Sequence, residues 1–138
     1  RMFELDPRLE NDTTAVTDLP LSRAVLMDDA RYPWLILIPR IVGLTEIHDM
    51  SPAEIMQLTK EATTASRTLQ SLTGAHKMNV ATLGNVVSQL HVHVVARFEG
   101  DAAWPAPVWG VGEAEPYEGT VRAEMMERVK TELDLAFI

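Results

Sequence analysis

Cysteine does not occur in the 138 residues, which excludes disulfides and thiolate zinc sites. Long hydrophobic runs are missing too. The longest apolar stretch, Trp34 to Ile38, falls far short of the ~20 residues a membrane span needs and suits a buried strand. The opening residues, Arg1-Met2-Phe3-Glu4-Leu5, carry no apolar segment fit for a secretory signal, so a cytoplasmic protein with no membrane contact is expected. Basic residues are few: 12 Lys and Arg against 20 Asp and Glu give a formal charge of −8. Nucleic-acid binding needs a basic surface and is not expected, although dipoles and imidazoles can still hold a small anion locally. There is no internal repeat, low-complexity segment or obvious linker, so one domain, residues 1–138, is expected to bury a real core.

What is present reads as alternating strands and helices. The first twenty residues, with Asp6-Pro7, Asn11-Asp12 and Leu19-Pro20, suggest a short helix or turn and then a loop. Ser22 to Met27 predicts a strand stopped by Asp28-Asp29, and Trp34 to Ile38 a second strand that Pro39 ends. Ser51-Pro52-Ala53-Glu54 is a capping box with proline at the first helical position. Ile55, Leu58, Ala62, Ala65, Leu69 and Leu72 then form one apolar stripe at steps of three and four, closed by Gly74. Lys77 to Thr82 predicts a third strand, with a turn at Gly84-Asn85. A last helix over about Gly119 to Leu133 carries Val121, Met125, Val129 and Leu133. These elements make an α+β domain with a mostly antiparallel sheet of about five strands and two main helices.

The most informative segment is Gln89-Leu90-His91-Val92-His93-Val94, inside a strand expected over Gln89 to Arg97. Its period-two alternation marks a strand half buried in a sheet, with Leu90, Val92 and Val94 toward a core. Gln89, His91 and His93 then share the other face, roughly 6–7 Å apart, a spacing that can hold one phosphate-sized group. Polar groups turned one way are costly to leave unpartnered, which points to a ligand. A His-x-His pair on a strand also fits a structural role or two metal ligands.

The Gln89 to Arg97 segment with Gly84-Asn85 upstream resembles the signature of the histidine triad (HIT) family of nucleotide hydrolases and transferases. That family has three histidines separated by single apolar residues, with a Gly-Gln-like pair before them. His91 matches the central, nucleophilic histidine and His93 the third; Gln89 occupies the place of the first, and Asn85 that of the upstream glutamine. Trp34 to Ile38 followed by Pro39-Arg40 resembles a family strand ending in Ile-Pro-Lys, and the likeness spans about Ser22 to Trp109. It is nearest to the bacterial branch labelled diadenosine tetraphosphate hydrolase-like. The resemblance implies a HIT-like fold, a homodimer, and no cofactor or metal. Two departures stand out: Gln89 cannot carry a proton, and a further histidine that often assists the leaving group maps to Trp34. A slow enzyme, or one restricted to good leaving groups, is expected.

On this reading His91 attacks the α-phosphorus of a nucleoside phosphate, dinucleoside polyphosphate or phosphoramidate, and water releases the nucleotide from the histidine. A backbone carbonyl on the other imidazole nitrogen sets the tautomer. His93, Gln89 and Asn85 donate to the phosphate oxygens, Asn79 lies near a polar family position, Asp28 or Asp29 meets the ribose, and Leu26 flanks the base. Plainer readings stand beside these. Asn85 can be turn chemistry, Asp28-Asp29 can simply end a strand, and Trp104 and Trp109, which could touch ligand, more readily pack the core or make a dimer contact. His48 and His76 look like loop histidines, and the acidic residues of the last helix like a solvated face. Two rival functions remain. One is a non-catalytic nucleotide sensor on the same fold. The other is a cupin-like metal site built from Gly84, His91, His93 and Glu99.

Overall fold

The computed structural model describes residues 2–138; Arg1, to which no role is assigned, lies outside them. Chain order runs α1 (Pro7–Asp12), β1 (Thr13–Asp18), β2 (Ser22–Met27), β3 (Trp34–Pro39), a 3₁₀ turn (Ile47–Asp49), α2 (Pro52–Thr73), β4 (Lys77–Ala81), β5 (Val92–Arg97) and α3 (Gly119–Ala136). The five strands form one antiparallel sheet in the order β1-β2-β3-β5-β4. The long α2 crossover between β3 and β4 lets β5 enter between them, so the histidine strand lies inside the sheet.

Local chemistry builds the elements as the sequence predicts. Ser51 Oγ accepts from Glu54 N and the Glu54 carboxylate accepts from Ser51 N, closing both ends of the capping box. At the far end Gly74 takes the left-handed conformation (φ 70°) that terminates α2. In α3 the apolar residues recur at steps of four. Each step overshoots the 3.6-residue turn by about 40°, so the row rotates off the core: Val129 and Leu133 are buried while Val121 is exposed.

Two expectations need correction. The loop predicted before Ser22 contains β1. Its sequence, Thr-Thr-Ala-Val-Thr-Asp, has one large apolar residue, and a bulge between Ala15 and Thr17 breaks the period. The histidine strand starts at Val92 rather than Gln89, and it is covered on both faces rather than one. Toward α2 and α3, Leu26, Leu35, Leu37, Val92 and Val94 pack with Leu58, Ala65, Leu69 and Leu133. Toward the other side, Val25, Trp34, Ile36, Ile38 and Val95 pack under Leu9 of α1, Val108 and the N-terminal Phe3 and Leu5. The irregular chain between β5 and α3 supplies the second layer, which no periodicity announces.

A buried carboxylate ties the layers together. Glu61 of α2 is fully buried and accepts from Leu21 N (2.7 Å), Ser22 N (2.9 Å) and Gln57 Nε2 (2.8 Å). It satisfies the two backbone donors that the tight β1–β2 turn leaves free.

Candidate active site

Strand register decides which residues meet His93. It pairs with Ile36, which pairs with Val25, and on its other flank with Ala81. The row His93–Ile36–Val25 therefore faces away from the helices, and His91 follows it: the two imidazole centroids lie 4.8 Å apart with the rings nearly perpendicular. Both histidines are buried.

Each ring is held by one directional hydrogen bond. His91 Nδ1 lies 2.7 Å from the main-chain carbonyl of Gln89. A carbonyl only accepts, so Nδ1 carries the hydrogen and Nε2 keeps its lone pair. Trp34 Nε1 lies 3.0 Å from His93 Nδ1. An indole only donates, so His93 Nδ1 is the acceptor and its hydrogen sits on Nε2. The two neighbours thus have opposite tautomers, with a lone pair on Nε2 of neutral His91 and a hydrogen on Nε2 of His93. Burial, with a smaller contribution from the adjacent His91, pushes His93 down to about 3. It stays a neutral donor throughout the physiological range.

Aromatic rings confine His93. Trp109 lies 5.0 Å from it and Trp34 5.6 Å, and the two indoles meet edge to face at 6.0 Å. Trp109 comes from the loop beyond β5, where the sequence left packing, a dimer contact or a ligand contact all open. Beyond it a cavity of about 410 Å³ opens, bordered by Met27, Asp28, Trp34, Trp109 and Gly110.

The remaining predicted residues divide sharply. Gln89 does not turn its amide toward the histidines. Its Oε1 accepts from Asp6 N (2.8 Å) and its Nε2 donates to Glu4 O (2.9 Å). Leu26 is buried on the opposite, helix-facing side of the sheet, so it cannot flank a ligand at His91; Val25 and Met27 occupy the histidine side. The strand had fixed the alternation but not which half of it faces the histidines. Asn79 shares the histidine face, but its Oδ1 accepts from Arg97 Nη1 at 2.8 Å. Asn85 follows Gly84, whose φ of 76° makes the turn, and is exposed with no side-chain hydrogen bond among the described residues.

The aspartate pair also separates. Asp29 is buried with both oxygens engaged by Arg31. Burial alone raises its carboxyl, yet the hydrogen bonds from Arg31 and its backbone hold it below the usual range. Asp28 accepts from the Tyr117 backbone through Oδ1 at 2.9 Å, has Arg122 at 3.9 Å from Oδ2, and lines the cavity.

A buried network that the sequence did not announce supports the floor. Arg97 lies across Asp101, donating from Nε (2.8 Å) and Nη2 (3.0 Å), and reaches Ala106 O and Asn79. Asp101 also accepts from the amides of Phe98, Ala103 and Trp104, which folds the loop carrying Trp109. Arg97 pulls the Asp101 carboxyl down to about 2. A spacing of four between opposite charges was the only sequence signal, and it ordinarily denotes a surface pair.

The metal-site rival fails on geometry. Glu99 faces His76 at 3.7 Å instead of the histidine pair, and the sheet does not close into a barrel. Among the described residues no group of three His, Asp or Glu side chains could hold a metal ion.

The HIT domain family matches residues 8–100. The chain belongs to the histidine triad family. Among solved structures, a histidine triad protein from Bradyrhizobium japonicum is 41% identical, with a TM-score of 0.94 over 96% of this chain and 99% of its own. One from Sinorhizobium meliloti is 43% identical with a TM-score of 0.92, covering 94% and 96%. One from Marinobacter aquaeolei is 38% identical with a TM-score of 0.95, covering 98% of each chain. No curated protein matches the chain. Family membership supports a nucleotide-binding or hydrolase-type function in general. The HIT domain match stops at residue 100, before Trp109, whereas the solved structures align over 94–98% of the chain.

Proposed function

We propose that this protein is a nucleotidyl hydrolase or transferase working through a covalent nucleotidyl-histidine on His91. The opposite tautomers of His91 and His93 carry the reading. His91 Nε2 attacks the α-phosphorus, forming a P–N bond as the bond to the leaving group breaks. The leaving group takes its proton from solvent, since Trp34 holds the place of a protonable side chain. Water then attacks the same phosphorus, the P–N bond breaks, and the nucleoside monophosphate departs with His91 restored. Neutral imidazole suits both roles, as nucleophile and as leaving group. His93 Nε2–H donates to a non-bridging oxygen, where charge grows; one such donor contributes roughly 3–4 kcal/mol. The exposed Asn85 supplies a second donor when it turns inward.

The cavity of about 410 Å³ beside Trp34 and Trp109 takes the nucleoside, a volume in the usual range for such ligands. Its rings and Met27 cover the base, and Asp28 at its edge accepts from the ribose. The substrates are nucleoside phosphoramidates or dinucleoside polyphosphates, the latter as in the branch the sequence resembles. The working form is a cytoplasmic homodimer: β4 is an edge strand with Val80 exposed, next to an exposed face of α2 that a second copy can cover.

Turnover decides the reading. AMP release from adenosine 5′-phosphoramidate and from diadenosine tetraphosphate should fall at least about 10³-fold in His91→Ala. Nucleotide binding without release of AMP by the native chain would instead identify a sensor.

A further inference from the structure

Between Trp109 and the start of α3 the chain runs as a strap without helix or strand. Apolar packing does little to hold it: Val111 is half-buried against the histidine-side core, while Gly110 and residues 112–116 are exposed. Hydrogen bonds from the β2–β3 turn hold it instead. Ala30 N donates to Glu115 O at 2.6 Å, Arg31 Nη1 to Val111 O at 2.7 Å, and Tyr117 N to Asp28 Oδ1 at 2.9 Å. Glu115 N adds a longer contact to Asp29 Oδ1 at 3.4 Å. These bonds all draw on four consecutive residues, Asp28 to Arg31.

Arg31 is itself fixed. Its Nε and Nη2 fork onto Asp29 at 3.0 and 2.9 Å, and its guanidinium lies 5.1 Å over the Tyr32 ring. The third nitrogen, Nη1, is left for the strap. Gly112 permits that approach: a β-carbon there would meet Nη1 at 3.1 Å, and its φ of 59° is one that side chains rarely adopt. A planar fork can join a carboxylate through two nitrogens and a carbonyl through the third, which the single ammonium of lysine cannot do. Gly110, Val111, Gly112, Ala114 and Pro116 of the strap border the cavity of about 410 Å³, whose walls also include Trp34 and Trp109, the rings packed on His93. Asp28 and Arg31 border it as well. With the strap displaced, that side of the cavity opens to water.

We infer that Arg31 is a positioning residue: through Val111 O it clasps the strap, residues 110–117, as a wall of the nucleoside cavity, so that nucleoside affinity depends on this clasp while the chemistry at His91 does not. The inference rests on the proposed function above in placing the nucleoside in this cavity. A ligand that gains contacts from the closed wall binds the clasped state better and shifts the strap toward it.

The test is hydrogen exchange at the Ala30 and Tyr117 amides of the full chain, with and without AMP, beside steady-state kinetics on adenosine 5′-phosphoramidate. Native protein is compared with Arg31→Gln. AMP should slow both amides of the native protein at least about 5-fold. Arg31→Gln should exchange both at least about 10-fold faster without ligand. It should also raise KM and the Kd of AMP at least about 10-fold, with kcat lowered less than about 3-fold. Gly112→Ala, which crowds Nη1 and leaves the Asp29 pair in place, should raise KM in the same way and serves if Arg31→Gln does not fold. Faster exchange with unchanged KM and Kd would make Arg31 a structural residue alone and overturns the inference, as does a loss confined to kcat. AMP that leaves both amides of the native protein unchanged overturns it too. If native protein releases no AMP from the phosphoramidate while AMP still slows both amides, the transfer reading fails and the clasp stands.

Discussion

His93 shows how one side chain can be committed to a single protonation state. Buried beside Trp34 and Trp109, it titrates at about 3 in the folded chain against 6.5 for an unperturbed imidazole. Above pH 6.5 neither the folded nor the unfolded chain binds this proton. Between 6.5 and about 3 only the unfolded chain does, so stability falls as pH drops through that window, by at most about 1.4 kcal/mol per pH unit. Thermal unfolding followed from pH 7.5 to 4.5 should show this slope, and His93→Asn should flatten it. Asp101 acts in a lower window: held down to about 2 by Arg97, it loses its stabilising charge only as pH falls below 3.8 toward 2. Trp34→Phe removes the donor that sets the His93 tautomer. That substitution should lower kcat about 10-fold and stability by about 1 kcal/mol, read by AMP release and chemical denaturation.

At the level of elements, several strands and the helix caps were legible because they follow from short-range rules. The α2 capping box, the Gly74 stop, β2, β3 and the alternation of the histidine strand all lie in residues that act on near neighbours. Three features were not legible, each for a long-range reason. β1 depends on pairing with β2 more than on its own apolar content. Gln89 bonds to residues more than eighty positions away. Glu61 looks like one more charge on a helix until the β1–β2 turn is packed against it. Glu61→Ala strips the partners from the buried amides of Leu21 and Ser22 and should destabilise the fold by about 3 kcal/mol. Glu61→Gln, which keeps one acceptor, should lose less; urea unfolding with an unchanged slope separates the two.

Viewed whole, the molecule divides labour between the faces of its sheet. The helix side, with Leu35, Leu69, Val94 and Leu133, supplies the apolar core, while the other side carries the histidines under a roof made of the N-terminal segment and the loop between β5 and α3. The candidate site was therefore half readable: His91 and His93 came directly from their spacing, but the roof over them, Phe3 to Asp6 and Trp104 to Tyr117, has no periodic signature. The open edge of β4 predicts self-association, and Val80→Lys should shift the protein toward monomer in sedimentation analysis. The central claim is covalent transfer to His91. Intact-protein mass spectrometry after brief mixing with adenosine 5′-phosphoramidate, quenched without acid, tests it most directly. An adenylyl adduct that maps to His91 and is missing from His91→Ala is expected; AMP release at an equal rate from both proteins, with no adduct on either, would contradict covalent transfer.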